Sequence, residues 1–532
     1  MSNNHQHRMK KIAFCRPTWA EVDLDNLAHN FRVIRGRTGA GVKIMPMVKA
    51  DAYGHGMVPC ARKLAECGAD YFGVASIEEG IELRKAGIGL PVLVLGAVLS
   101  DSAAGFFDAG LIPALCDWQT ALALEEEARR RGRRIKVHIK VDTGMGRIGV
   151  LWDEAAVFIR KVSFLDHIEI EGLFTHFSCA DEEGNELTGI QEERFFRAAE
   201  TAAAAGIKIP FLHAANSAAI LNRPHSGFNI VRPGLALYGV SPVESDAGGS
   251  LLKPVLSLKS RLVYTKRLPA GSGVSYGHTY RVPDECVVAT IPLGYGDGYP
   301  RNLSNCGPVL IRGKRYKISG LVCMDQLMVD AGKTCLCAGE ETVFIGQQGK
   351  EKITAGELAR LGGTIAYEIL CGIGSRVPRV YKTEASFIAP EDWKEKRVFT
   401  RFPARMRLDF SCNETGFHGE AETRDISASG LSFEFNRVNS RSGGKEEIAL
   451  NKRSPFPAHS HLNLCLLDSR GAEVLQAGGD VVWSRKVSFQ QYRAGISFSK
   501  LPGASFNDLR LFFKKYGNKR SIPVSGPSRM DR

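Results

Sequence analysis

A lysine stands at the end of an apolar run. Residues 44–56 read IMPMVKADAYGHG, and Ile44 to Val48 have the pattern of a buried strand that ends in Lys49. Burying an ammonium is costly unless it has a partner or a chemical task. One task suits the position: a desolvated lysine amine can condense with an aldehyde cofactor. The alternative is a strand-end lysine that simply reaches solvent. Further polar residues follow other apolar runs. Lys140 and Asp142 end one, with Gly144, Gly146 and Arg147 just beyond. His176 ends the next, His213, Asn216 and Ser217 follow another, and Arg232 and Gly234 follow the last. Each has a bland reading alone, as a satisfied histidine, a surface arginine, turn glycines or a loop anchor. Those readings would all have to hold together for a site to vanish.

The elements that would position these residues alternate. Candidate strands are 44–48, 71–75, 92–95, 111–115, 135–141, 168–174, 211–213 and 229–232. Helical patterns lie between most of them, for example 119–131 and 191–205. Eight strand–helix repeats are the pattern of an α/β (β/α)8 TIM-like barrel. A doubly wound open sheet is the alternative, but no GxGxxG follows a strand. Barrel enzymes carry their active sites at the C-terminal ends of the strands, and phosphate commonly binds between the last two. Backbone N–H groups at loops and helix starts favour anions, and Ser217 and Gly234 fall there. The barrel reading therefore predicts a phosphate-bearing cofactor facing Lys49. After SPVESDAGGS the pattern changes to short alternating runs at 256–264, 286–291, 309–311, 316–322 and 342–345, an all-β module.

The motifs RPTWAEVDLDNLAHN (16–30), MVKADAYGHG (47–56), KVDTGMGRIG (140–149), HAANSAA (213–219) and VRPGLALYG (231–239) resemble alanine racemase, a fold-type III pyridoxal-phosphate family. GVSYGHTY (273–280), GYGDGYPR (294–301), CMDQ (323–326) and AYEILCGIGSRVPRVY (366–381) continue the likeness, which runs from about residue 11 to 382 without a gap. Racemisation needs an electron sink and an acid/base group on each face of Cα. The resemblance implies pyridoxal phosphate as the sink, Lys49 as its anchor and the group for one face, and Tyr276 for the other. A phenol of ordinary pKa is a poor base at neutral pH and needs cationic or polar neighbours. The resemblance also places Arg232 against the pyridine nitrogen and Arg147 against the phenolate oxygen. Tyr53, Ser217, Gly234 and Tyr367 would hold the phosphate, with His176 and Asn216 among the cofactor contacts. Met324 and Asp325, with Arg147, would approach the substrate carboxylate. Lys140 matches a lysine that some relatives carry as a carbamate. Tyr276 serving the other subunit's Lys49 implies a head-to-tail homodimer.

The remaining chain is an appendage. Residues 383–396 read as a charged linker with one possible helical turn. Arg397 and Arg401 form an RxxxR pair in KRVFTRFPAR, and Asp425, Ser427 and Gly430 form DxSxxG in DISASGLSF. Arginine forks bind phosphate bidentately and stack on flat rings. A short Asp/Ser/Gly turn offers acceptors and backbone donors to a guanine. With GGDVVWSR (478–485) and YRAGISFSK (492–500) as strands behind them, these motifs resemble a PilZ domain, the β-barrel module that binds cyclic di-GMP. A degenerate β-barrel used only for contacts is the alternative. General nucleic-acid binding is disfavoured, since no aromatic-rich RNP stretch is present.

The totals bound the rest. The 532 residues, 44% hydrophobic and 24% charged, suit a globular chain of two to four domains. Of the net charge of +13, about +8 lies after residue 390. No apolar run reaches the ~18 residues of a membrane span. The polar N-terminus MSNNHQHRMKK lacks a signal core, so a cytoplasmic protein is expected. Thirteen scattered cysteines without a CxxC pair suggest reduced thiols and no metal site. The expected layout is a barrel over 11–245, its first strand open to joining the β domain, then the β domain (246–382), linker (383–396), PilZ-like domain (397–515) and tail (516–532). The expected activity is interconversion of L- and D-alanine, supplying D-alanine for peptidoglycan. A racemase of shifted specificity, such as serine, and a low-turnover ligand sensor are the rivals; Tyr276 speaks against the sensor.

Overall fold

The computed structural model describes residues 16–222, 227–243 and 251–383, and beyond them a set of strands between 386 and 500. The chain divides into two compact units, Met1–Glu395 and Lys396–Arg532.

The first strand, Thr18–Asp23 (β1), is followed by a helix, Leu24–Arg37. The helix begins there because the Asp23 side chain accepts from the Asp25 and Asn26 amides. The barrel strands then run in order: Lys43–Ile44 (β2), Phe72–Val74 (β3), Val92–Val94 (β4), Ile112–Leu115 (β5) and Ile135–Asp142 (β6). A two-residue strand, Val150–Leu151 (β7), pairs with the end of β6. Ile168–Phe174 (β8), Phe211–His213 (β9) and Ile230–Val231 (β10) complete the set. Parallel pairing runs β3-β4-β5-β6-β8-β9, and β10 pairs β2. A parallel bridge from Met47 to Gly73 joins the β2 segment to β3. Bonds from Asn229 N to Leu212 O (3.1 Å) and Arg232 N to Ala215 O (2.8 Å) join β9 to β10. Eight parallel strands thus close a ring, and helices such as Trp118–Arg131 and Leu187–Ala204 cover it. Continuous burial of β3, β4 and β5 explains their apolar runs.

β1 does not belong to the ring. It pairs antiparallel with Leu256–Arg261 and parallel with Arg379–Thr383, inside the sheet of the second domain. That sheet also takes in Lys314–Lys317, Pro308–Ile311, Glu341–Gln348 and Ser386–Ile388, the last lying in the stretch read as linker. The strand expected over 316–322 covers only Lys314–Lys317: Ile318 keeps one bridge to Val329, and Gly320 then turns the chain at φ 85°. One apolar core fills the barrel and another the β domain, and Tyr367 packs against both.

In the second unit, Arg407–Cys412, His418–Ser427, Gly430–Asn436, His461–Leu467, Glu473–Lys486 and Gln491–Lys500 form a closed antiparallel ring of six strands. The short strand Phe402–Pro403 pairs antiparallel with the end of His418–Ser427, against Ile426 and Asp425.

Candidate active site

Lys49 sits where β2 has run out and opens an unusual turn. The next four residues, Ala50 to Tyr53, have φ between 50° and 55°, a left-handed helical turn without glycine. Such a conformation costs roughly 1–2 kcal/mol per residue, so the surroundings must over-determine it. Glu79 accepts from the Ala50 amide (2.7 Å) and from that of Ala75 (2.7 Å). Asp51 Oδ1 accepts from Met57 N at 2.7 Å. Gly54 and Gly56 end the turn at φ 79° and 94°; a Cβ on Gly54 would stand 2.2 Å from the Leu370 carbonyl. Burial, and then the Arg147 guanidinium, push the Lys49 pKa below its ordinary value; Arg232 adds to this, while Glu79 and Cys371 oppose it. A lysine in that state exchanges a proton more readily near neutral pH.

Arg232, just past β10, is buried at 3% exposure. Its NH2 donates to Thr175 O (2.7 Å) and Ala214 O (3.0 Å) and approaches His176 Nδ1 at 3.4 Å. Its NH1 lies 2.8 Å from His213 Nδ1. A guanidinium only donates, so the polarity of the chain behind it follows. His213 Nδ1 accepts, hence His213 Nε2 carries hydrogen and donates to His138 Nδ1 at 2.8 Å. His138 Nε2 then donates to Glu171 at 3.2 Å, and Lys136 completes the line on the other carboxylate oxygen at 2.7 Å. Burial works to raise the Glu171 pKa, but His138 and Lys136 bring it down to about 2. Burial, reinforced by Arg232, keeps His213 neutral, and burial alone dominates for His138. Burial and Arg147 lower the Arg232 pKa to about 9.

The mouth of the barrel is rich in cations. Burial first, then Arg232, Lys140, Arg147 and Lys49, drives the His176 pKa well down. Lys140 is itself 4% exposed, its charge opposed by burial, Arg232 and Arg147, and its Nζ lies 4.6 Å from the Phe174 ring centroid. Arg147 follows a backbone nest. Asp142 Oδ1 accepts from the amides of Gly144, Met145 and Gly146 (2.9, 2.9 and 3.1 Å), and the nest holds that carboxyl below its usual range although burial opposes it. Ser217 Oγ accepts from Gly234 N (2.8 Å) and Ala236 N (3.3 Å), while Asn216 Oδ1 accepts from Ala219 N (3.0 Å). A Cβ on Gly234 would stand 2.5 Å from the Tyr53 hydroxyl, so a glycine is needed to let that hydroxyl close. The Tyr53 ring is 5.8 Å from that of Tyr367. The Gly234 and Ala236 amides occupy the lone pairs of Ser217 Oγ and leave its hydrogen to donate, so the hydroxyls of Ser217, Tyr53 and Tyr367 make a donor set suited to a phosphate.

The structure thus brings together Lys49, Tyr53, Arg147, His176, Ser217, Arg232, Gly234 and Tyr367, with Asn216 adjoining. It does not bring Tyr276, Met324 and Asp325 into that group within one chain. Tyr276 begins a short 3-10 turn (Tyr276–His278) of the second domain and is 71% exposed. Ser275 Oγ ties its base to Leu321 O at 2.7 Å, beside Met324, which is also exposed. Asp325 pairs with Arg376 at 2.6 Å. Sequence reasoning passed over His55, His138, Glu171 and Arg379. For His138 a signal existed: Lys136, His138 and Lys140 alternate in β6 and so share one face of a strand that is otherwise apolar.

In the second unit, Arg397 and Arg401 lie outside the described residues. Asp425 and Ser427 end the strand His418–Ser427, and Gly430 opens the next, paired with Ser427 across the hairpin. The register slips between Thr423 and Asp425, and Phe402–Pro403 pairs beside Asp425. Backbone pairing therefore sets the residue after Arg401 against the DxSxxG hairpin.

Family models match in the same order. Alanine racemase, N-terminal domain, covers residues 22–242; alanine racemase, C-terminal domain, covers 255–381; a PilZ domain covers 395–515. The alanine racemase of Halothermothrix orenii is 48% identical over 370 residues, 69% of this chain and 98% of that protein. That of Geobacter sulfurreducens is 42% identical over 371 residues, 69% of this chain and 97% of its own length. Among solved structures, alanine racemase from D-cycloserine-producing Streptomyces lavendulae aligns at TM-score 0.67 and 37% identity over 70% of this chain and 98% of that one. The Bartonella henselae alanine racemase with covalently bound pyridoxal phosphate aligns at TM-score 0.63 and 27% identity, over 69% and 99%. A barrel closed around a half-buried lysine and a buried arginine, joined to a β domain and matched over nearly the full length of such relatives, places the chain in the alanine racemase family.

Proposed function

We propose that the chain interconverts L- and D-alanine with pyridoxal phosphate as cofactor, using Lys49 and Tyr276 as proton-transfer groups on opposite faces of Cα. The observation that carries this reading is Lys49 at the mouth of the barrel, in one group with the buried Arg232 and the Ser217–Gly234 cradle, where burial first and then Arg147 hold its pKa below the ordinary value. When bound, the cofactor supplies the electron sink that makes the Cα proton of alanine acidic. The chain's own residues fit it. Ser217, Tyr53 and Tyr367 offer the phosphate hydroxyls, and Gly234 orients Ser217 through its amide and presents a surface with no room for a Cβ. Arg232, held in place by its bonds to His213 and the backbone carbonyls, would offer an N–H to the pyridine nitrogen. That restrains the sink and disfavours side reactions such as transamination. Arg147, His176 and Asn216 complete the mouth, and the desolvated Lys140 is a candidate for carbamate formation. Lys49 takes or returns the proton on one face; Tyr276 does so on the other.

Tyr276 serves as the second group from a partner copy, in a head-to-tail homodimer with shared sites. Support comes from its 71% exposure beside the exposed Met324, a surface that a second chain would cover. Met324 and Asp325 would then meet the substrate carboxylate together with Arg147. The C-terminal unit binds cyclic di-GMP through Arg397, Arg401, Asp425, Ser427 and Gly430, supported by its six-stranded ring and the hairpin register. No helix among the described residues is long and apolar enough to cross a membrane; a cytoplasmic source of D-alanine for peptidoglycan is the role we assign. Circular dichroism of product from a panel of L-amino acids, with borohydride fixation of the cofactor, tests the reading. Racemised alanine and an adduct on Lys49 are expected. Turnover of another amino acid but not alanine, or an adduct on another lysine, would refute it.

A further inference from the structure

Resting on the reading of Lys49 as the cofactor-bearing lysine, we propose that His55 and Arg379 are positioning residues for it. They hold the left-handed turn that follows Lys49, Arg379 doing so from the second domain. The turn presents three consecutive carbonyls, Ala52, Tyr53 and Gly54, in a conformation that L-residues adopt reluctantly. Side chains meet all three. His55 Nδ1 lies 3.0 Å from Ala52 O and 2.9 Å from Tyr53 O. Both partners are acceptors, so Nδ1 carries the hydrogen and donates to the pair. Arg379 donates from Nε to Gly54 O at 3.0 Å. Its remaining nitrogens donate to the carbonyls of Gly374 (2.6 Å), Val377 (2.7 Å) and Ile373 (2.5 Å).

These contacts tie the turn to the β domain on two sides. Arg379 lies on the strand that pairs with β1, and Gly54 is seated against the Leu370 carbonyl of the helix Ala366–Cys371, which also carries Tyr367. The same clamp therefore sets Lys49, Tyr53 and Tyr367 relative to one another. His55 is fully buried and its ring packs tilted against Tyr238 at 4.5 Å between centroids, and the Tyr238 hydroxyl donates to Met47 O two residues before Lys49. His55 Nε2 is buried and has no hydrogen-bond partner, so the useful atom of this ring is Nδ1. An arginine is required at 379 because only a guanidinium spreads donors over four carbonyls on two domains.

The test uses the full-length dimer and the pair His55→Asn and His55→Leu, with Arg379→Lys as an independent arm. Asparagine keeps a donor where Nδ1 stands; leucine fills volume without one. Misplacing a reacting group by about 1 Å can lower the rate by about 100-fold. His55→Leu and Arg379→Lys should lose about that factor in kcat, with KM for alanine within about 3-fold, and the pH limb of kcat that reports the Lys49 amine should move. Pyridoxal-phosphate affinity, read from the quenching of protein fluorescence in the apo form, should fall in parallel. His55→Asn should retain at least about a third of wild-type kcat. Should His55→Leu not fold, Arg379→Lys carries the same expectation. Lower melting temperatures with unchanged kcat, pH limb and cofactor affinity per folded subunit would make both residues merely structural and overturn the proposal. So would a loss in His55→Asn as large as in His55→Leu. A borohydride adduct on another lysine in the wild type would instead overturn the Lys49 assignment.

Discussion

Acid should loosen the catalytic half of the molecule, and His55 should carry about one proton of that response. Burial holds its imidazole down at about 4, against the Tyr53 and Ala52 carbonyls that accept from Nδ1 and favour the charged form, and with Arg379 adding to the depression. In the unfolded chain the ring returns to about 6.5. Between those two pH values the unfolded state holds one proton more than the folded state, so stability is full above about 6.5 and is lost as pH falls towards 4. The slope approaches about 1.4 kcal/mol per pH unit, and the whole interval of 2.5 units amounts to about 3 kcal/mol. His176, His138 and His213 respond in the same direction, so the wild-type curve alone does not isolate His55. The difference between wild type and His55→Asn does. Urea unfolding at fixed protomer concentration, from pH 7.5 to 4.5, should show the wild-type advantage shrinking by about 2–3 kcal/mol. A gap that stays constant within about 0.5 kcal/mol would show that His55 does not titrate as its burial requires.

Two further outcomes follow from the site and the appendage. Gly234→Ala places a Cβ 2.5 Å from the Tyr53 hydroxyl, so that ring must withdraw; cofactor affinity by fluorescence titration should fall by about 10-fold, roughly 1.4 kcal/mol, with the protein still folded. Calorimetry should detect cyclic di-GMP binding that Arg401→Ala abolishes while racemase activity is kept, and turnover unchanged by the ligand would leave the domain a localising rather than a switching device.

How far the sequence could be read depended on where each pattern draws its information. The central barrel strands were legible where strands covered on both faces read as uninterrupted apolar runs, as in VLVL at 92–95 and IPAL at 112–115, whereas β6 and β8 carry charged residues among their apolar ones. The site residues were legible because barrel chemistry collects after such runs, which singled out Lys49, His176, Ser217 and Arg232. The membership of β1 was left open by the sequence. TWAEVD alternates like any half-buried strand, and its partners Leu256–Arg261 and Arg379–Thr383 lie hundreds of residues away. The left-handed turn at Ala50 to Tyr53 was invisible because none of the four residues is a glycine. Arg379 looked like one more arginine in SRVPRVY; only the fold shows that its donors cross between domains. Glu171 hid for the opposite reason: it stands in EIEGLF as if on a solvent face, whereas its partner His138 lies on the neighbouring strand.

The two-sided proton transfer between Lys49 and Tyr276 is the centre of this account, and Cα-proton exchange in D2O tests it most directly. The wild-type dimer should exchange the Cα proton of L- and D-alanine at comparable rates. With Tyr276→Phe, exchange from one enantiomer should fall by about 10²–10⁴-fold while the other keeps most of its rate, since Lys49 still serves that face. Near-normal exchange of both enantiomers by Tyr276→Phe would remove Tyr276 from the chemistry and contradict the account.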